Sequence, residues 1–395
     1  MSPVYAAAVE AGGERAFGMG ARLRGRRPWL AAAAVGGLLI VLAVTAVLAW
    51  HHSSAVVVPD RSPWSEELTV EVRSPDRIVI ERSADTERPG RYGLEWPGGR
   101  ARLGAVLGRD GDTITRRLLA VDGYLAAGME VRIARFYTGD PRQALGMPFE
   151  QVPVRGELGT MPAWQVGDDG ATWAIVVHGI NDTPEAGLRL LPTLRRAGMR
   201  ALLITYRDDD GAPSSPDGHH HMGQTEWRDL EAAARYALRS GARRLVLAGY
   251  SMGGSIVAQF MQESALAPRV AGLVLDAPAL DWEAIFEHGA AEMGMPAIAT
   301  VPLKLAVAAR IDVDWGAVDA TRHPEDFQLP ILLFHGLEDD LTPIEVSEDF
   351  AAKLPRHVTL HRVPEAAHTQ SWNVAPRLYE RRLRAFLERP SVAGA

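Results

Sequence analysis

The chain has 395 residues, room for more than one domain, and its 47% hydrophobic and 23% charged residues are those of a globular protein with a large core. A formal net charge of −7, with no basic stripe, argues against nucleic acid as a partner. The absence of cysteine excludes disulfides, thiolate catalysis and cysteine-based zinc sites.

Residues 1–28 are Ala- and Gly-rich without an apolar period, and carry Arg15, Arg22, Arg24, Arg26 and Arg27; they read as a disordered arm. Residues 29–50 contain no charge, and about twenty such residues span a lipid bilayer as a helix. Trp29 and Trp50 suit its two interfaces. The arginines precede the segment and only Arg61 follows closely. The positive-inside rule therefore puts the arm in the cytoplasm and the rest outside, on a single-pass anchor in the cell membrane. A cleavable signal peptide competes with this reading, because Ser53-Ser54-Ala55 is a passable small-x-small site. Its apolar region would normally run about 7–15 residues, shorter than this one, so an uncleaved transmembrane helix is the expectation. Residues 51–66, with Pro59, Ser62, Pro63 and Ser65, read as a linker.

From Leu68 the apolar period becomes two. Segments 68–72, 78–81, 92–96, 102–106, 113–116 and 131–133 look like strands, with Pro97-Gly98-Gly99 and Arg109-Asp110-Gly111-Asp112 as turns. Residues 67–136 are thus a small antiparallel sheet or barrel. It is either a spacer holding the next domain off the membrane or a module that shapes a substrate cleft, and the spacer is the expectation. Residues 137–395 change pattern. A hairpin over 151–155 and 161–166 precedes apolar strands at 172–177, 201–206, 244–248, 270–276, 330–334 and 358–361, interleaved with helices at 184–197 and 225–239. Such alternation predicts an α/β domain with a mostly parallel, doubly wound sheet covered on both faces.

Gly249-Tyr250-Ser251-Met252-Gly253 lies between a strand and a helical run, the context in which G-x-S-x-G presents an exposed serine on a sharp turn. Side chains beside that turn would clash, so glycine is needed there. Val177-His178-Gly179-Ile180 leaves another strand end. Backbone N–H groups of Met252 and of this loop, at Ile180, are the candidate donors to an oxyanion. His178 reads as bracing the loop rather than as a base. Glu338-Asp339-Asp340 lies just beyond a strand and supplies an acid; Asp276, at another strand end, is a weaker rival. His368 is the candidate base, better placed than His357 or His361. Asp208-Asp209-Asp210 and His219-His220-His221 flank a Gly/Pro/Ser-rich loop. Adjacent residues rarely all reach one ion, so a mobile, solvated loop is expected and no metal or other cofactor.

From about Gln151 onward the chain resembles an α/β-hydrolase of the serine esterase and serine aminopeptidase-like branch, over well more than half its length. The His178-Gly179 loop, the elbow from Gly249 to Gly253, the His335-Gly336-x-x-Asp339 turn and the His368 loop carry the likeness, in that order. The resemblance implies Ser251 as nucleophile, Asp339 as acid and His368 as base. It also implies a lid at about 282–327, either helices packed on the core or an apolar roof over an acyl or aromatic substrate. The resulting reading is a membrane-anchored serine hydrolase acting on a small-molecule ester through an acyl-enzyme. A peptide or amide substrate and a non-catalytic binding protein are the alternatives.

Overall fold

The computed structural model describes residues 28–60, 62, 67–167 and 170–393. The expected arm over 1–27 and the linker residues 61 and 63–66 lie outside the described residues. The chain divides into two compact units, 1–48 and 49–395.

Most of helix α1 (Pro28–Val57) belongs to the first unit, where it exposes Val35, Leu39, Ile40, Val41 and Val47 around its circumference. It is long and apolar enough to cross a membrane. The linker expected from residue 51 is helical as far as Val57, which corrects that boundary. Tertiary contacts outweigh the weak helix preference of His51-His52-Ser53-Ser54. Val57 is fully buried in the main core and its carbonyl accepts from His220 N–H at 2.8 Å. Arg310 donates to Trp50 O and Ser54 Oγ, each at 3.0 Å, and its guanidinium lies 4.1 Å from the Trp50 ring centre.

Strands β1 (Glu67–Arg73), β2 (Arg77–Glu81), β3 (Tyr92–Trp96), β4 (Gly99–Asp110), β5 (Thr113–Asp122) and β6 (Glu130–Ala134) form a closed antiparallel barrel in the order β1-β2-β5-β4-β3-β6. Closure comes from β1 pairing with β6, Leu68 opposite Val131. Alternate residues point inward, and Val70, Ile78, Ile80, Leu94, Leu103, Ile114 and Ile133 fill the interior. The barrel packs directly on the following domain. Arg91 N–H donates to Asn373 O at 3.0 Å, Asn373 Nδ2 returns a bond to Arg91 O at 2.6 Å, and Tyr92 OH donates to Gln370 Oε1 at 2.5 Å.

The second sheet has eight strands: β7 (Phe149–Arg155), β8 (Thr160–Val166), β9 (Thr172–Val177), β10 (Arg200–Ile204), β11 (Arg244–Tyr250), β12 (Val270–Asp276), β13 (Ile331–Gly336) and β14 (Val358–Val363). Their order is β14-β13-β12-β11-β9-β10-β8-β7, and only β8 runs against the rest. The central strands β9 and β11 are buried along nearly their whole length, as continuous apolar runs require. Helices α2 (Trp227–Arg239) and α3 (Met252–Glu263) cover one face; α4 (Trp282–Glu292) and α5 (Val301–Ile311) extend that layer, and α6 (Pro376–Leu387) covers the other face. The helix expected over 184–197 is a 3₁₀ segment, Pro184–Leu190, followed by a short α-helix, Leu191–Arg196. Pro192 has no N–H to continue an α-helical ladder from the preceding turn. In register, Gly249 lies opposite both Val177 and Leu275, so β9, β11 and β12 end level and their following loops meet at one edge of the sheet.

Candidate active site

Strand β11 ends at Tyr250 and α3 starts at Met252, which leaves Ser251 alone at the turn with φ 51° and ψ −121°. This conformation is costly for a residue with a Cβ and persists only where its surroundings fix it. Here Ser251 N–H donates to Asp276 O at 3.2 Å, and Ser251 O accepts from Ala279 N–H at 3.0 Å. A Cβ on Gly249 would lie 2.5 Å from Gly253 O, and one on Gly253 would overlap the carbonyls of Val177 and His178. Both glycines are therefore set by close backbone approach.

The loop after β9 lies against the serine, since a Cβ on Gly179 would be 3.0 Å from Ser251 Cβ. His178 is buried, with Nδ1 2.8 Å from Gly179 O and Nε2 2.9 Å from Asp209 Oδ2, and it stacks on Tyr206 at 4.5 Å. Tyr206 OH donates to Gly179 O at 2.6 Å. Burial opposes a charge on His178, but the Asp209 carboxylate outweighs it and raises the ring above its ordinary pKa. The residue braces the loop. Among the described residues the N–H groups of Ile180 and Met252 have no hydrogen-bond acceptor; Met252 follows Ser251, and Ile180 follows Gly179, which lies against that serine.

Of the three consecutive acids after β13, Glu338 and Asp340 are exposed and Asp339 is buried. Asp339 accepts from Leu341 N–H at 3.0 Å, Thr342 N–H at 2.9 Å, Thr342 Oγ1 at 2.9 Å and His368 Nδ1 at 3.0 Å. His335 Nε2 lies 3.3 Å away on its other side. Burial alone would push this carboxyl up, but His335 and His368 hold it well below the usual carboxylate range. His368 Nε2 is buried and has no partner among the described residues. Asp276 instead accepts from Ser371 Oγ at 3.0 Å, and its carboxyl is raised by burial. Thr342 was not singled out in the sequence, and His335 only as part of the turn motif. The i, i+4 spacing of His335 and Asp339 was the signal for their contact.

The barrel contributes to this region, contrary to the expectation of a spacer. Arg88, Tyr92, Ala134 and Arg135 line an open cleft of about 300 Å³ together with Ile180 and His368. Arg189, also in its wall, sits over the Tyr250 ring at 4.5 Å and donates to Thr369 O at 2.8 Å, tying the His368 loop to β11. No sequence pattern marked Arg189 or these barrel residues. The loop after β10 is exposed at Asp210, Gly211, Ser214 and 216–218 as expected, but it is anchored by buried residues: Arg207, Asp208, Ser215 and His220 are buried, and Asp208 accepts from Ser215 N–H at 2.9 Å. Among the described residues, the one group of three side chains spaced to hold a metal is the exposed His323, Glu325 and Asp326.

The sheet order, with β8 its one reversed strand, is that of the α/β-hydrolase fold. An esterase from Pyrococcus furiosus has this fold with a TM-score of 0.52 and 18% identity, over 63% of this chain and 93% of that one. A proline iminopeptidase-related protein from Thermus thermophilus matches at a TM-score of 0.48 and 17% identity, over 63% and 99%. Residues 172–319 match the family described as serine aminopeptidase, S33, and residues 68–134 match a domain of unknown function, DUF8805. No curated protein matches the chain in sequence. The chain thus has the α/β-hydrolase fold, and part of its catalytic-fold region is similar to the serine aminopeptidase family.

Proposed function

We infer that the protein is a membrane-anchored serine hydrolase that cleaves a carboxylic ester through an acyl-enzyme on Ser251. The observation that carries this reading is the charged Asp339 bonded to His368 Nδ1, with Nε2 left without a partner among the described residues, together with a serine held at φ 51° on the turn after β11. In the proposed cycle, His368 Nε2 takes the Ser251 hydroxyl proton as Oγ attacks the ester carbonyl. Asp339 fixes the tautomer and stabilises the imidazolium. The tetrahedral oxyanion is bound by the N–H groups of Ile180 and Met252, at the positive end of α3. The imidazolium then protonates the departing alkoxide. Water, deprotonated by the same ring, attacks the acyl-enzyme, and collapse of the second tetrahedral intermediate frees the acid and Ser251.

An ester is placed first because an alkoxide leaves more readily than an amide nitrogen. The match to the serine aminopeptidase family favours a peptide or amide as the second reading, run by the same residues. The α1 helix anchors the protein as a single pass with the catalytic domain extracytoplasmic, as the arginines before residue 28 favour.

The test is labelling by a fluorophosphonate, which reacts only with an activated serine, alongside ester and aminoacyl amide turnover. Wild type should label; Ser251→Ala and His368→Ala should not, and Ser251→Ala should lose on the order of 10⁶-fold in kcat while staying folded. A folded wild type that does not label would favour a binding protein on a hydrolase fold.

A further inference from the structure

Helices α4 and α5, with the turn between them, form an insertion between β12 and β13. Its inner face is ordinary core: Val307 and Ile311 are buried against the main cluster. Two of its cations have protein partners, while Glu292 at the end of α4 is exposed. Lys304 bonds Glu283 and Glu287, each at 3.0 Å, and Arg310 holds Trp50 and Ser54. The exposed face of the turn and of α5 is apolar. Ile298, Val301 and Leu305 are spaced i, i+3 and i+7 along Ala297–Ile311, with Ile298 73% and Leu305 66% exposed, and Met293 and Met295 are exposed at the turn. A continuous apolar stripe left open on a folded domain marks a surface that something else covers.

The helix α1 says what covers it. Its strongly apolar run gives way to His51-His52-Ser53-Ser54 after Trp50, the residue that would sit at the bilayer boundary. Trp50 is bonded to Arg310, at the end of the same α5 that carries Leu305. Seven helical residues later, about 10 Å at 1.5 Å per residue, Val57 is already in the domain core. The chain just beyond, at Asp60 N–H, donates to Asn181 Oδ1 at 2.9 Å, next to Ile180. No flexible segment separates the boundary residue from the insertion.

We propose that the exposed face of α5 and of the turn before it, with Ile298, Val301 and Leu305 at its centre, is a lipid-contacting surface that rests in the outer interface of the membrane α1 crosses. The proposal rests on the reading of α1 as an anchor and assigns a role to a surface that reading leaves unused. It places the insertion beside the lipids, so that an ester carried by a lipid reaches the cleft at Ile180 without first entering bulk water.

The lack of cysteine makes the test direct. Full-length protein carrying Val41→Cys, Ile298→Cys or Tyr124→Cys, each labelled with the fluorophore NBD, is reconstituted into phosphatidylcholine–phosphatidylglycerol vesicles with and without doxyl-labelled lipid. Tyr124 is exposed on the loop between β5 and β6 and serves as the water control. The label at 298 should shift to the blue and lose most of its emission to the doxyl lipid, as should the label at 41, while the label at 124 does neither. Quenching at 41 without quenching at 298 overturns the proposal and leaves the anchor standing. Absence of quenching at 41 overturns the anchor and the proposal together. A blue-shifted label at 298 that the doxyl lipid does not quench means that a second copy or another protein covers the face, which also overturns it.

Discussion

Thr342 touches both members of the proposed acid–base pair: its hydroxyl donates to Asp339 Oδ2 at 2.9 Å and lies 3.2 Å from His368 Nδ1. A hydrogen bond to a charged group contributes about 1.5–3 kcal/mol, so Thr342→Val should lower kcat roughly 10-fold or more with KM little changed. A rise in KM at constant kcat would assign Thr342 to substrate binding instead. Asp339→Asn should cost far more, on the order of 10⁴-fold, because the wrong tautomer of His368 is then held. The depressed pKa of Asp339 has a second consequence. Its contribution to stability is whole above about pH 4, the ordinary carboxyl value, and is lost as the pH falls below it toward the folded value. The denaturation midpoints of wild type and Asp339→Asn should therefore converge as the pH drops; divergence toward acid would contradict the ion pair. At this scale the sequence was informative where geometry leaves one option. The glycines around Ser251 answer to backbone contacts that no side chain survives, whereas Glu338, Asp339 and Asp340 look alike until burial separates them.

Among the elements, the barrel depends on Arg116, a fully buried guanidinium that has no carboxylate partner among the described residues. It donates to the carbonyls of Thr86, Arg88, Gly90 and Gly104, at 2.7 to 3.2 Å, and burial pushes its pKa down to about 10. These bonds hold the segment that carries Arg88 to the cleft and Arg91 to Asn373. Arg116→Leu would leave the four carbonyls without this donor, a loss of about 3 kcal/mol or more. Where the variant stays folded, KM should rise more than kcat falls; unchanged stability and KM would dismiss the barrel as a cleft wall. The strands of the barrel were legible from their period of two. Its closure was not, because pairing β1 with β6 joins residues some sixty apart by backbone bonds that leave no mark on side-chain pattern. The end of α1 was misread for a related reason: His51 to Ser54 look like linker, and the contacts that keep them helical come from Arg310 and the core.

For the molecule as a whole, the second compact unit begins at Ala49, seven residues before the Val56 that the small-x-small site suggests as a start. A soluble fragment from Ala49 keeps Trp50 and Ser54 on Arg310; one from Val56 leaves that guanidinium without them. The longer fragment should melt a few degrees higher by scanning calorimetry, the shift expected of about 1–2 kcal/mol in a domain of this size. Equal melting temperatures would mean that the end of α1 contributes nothing to the fold. The main sheet was readable as a class, since runs such as 172–177 and 270–276 admit few other arrangements. How tightly its neighbours were joined was not, and the join matters for kinetics. An enzyme on a long, loose tether sweeps a volume, and its rate follows the substrate's molarity. Under the proposed anchoring, the helix from Trp50 to Val57 would give this one almost no reach. If its substrate is carried by lipid, the relevant concentration is molecules per unit area. Adding inert lipid should then slow turnover although the amount of substrate per litre is unchanged.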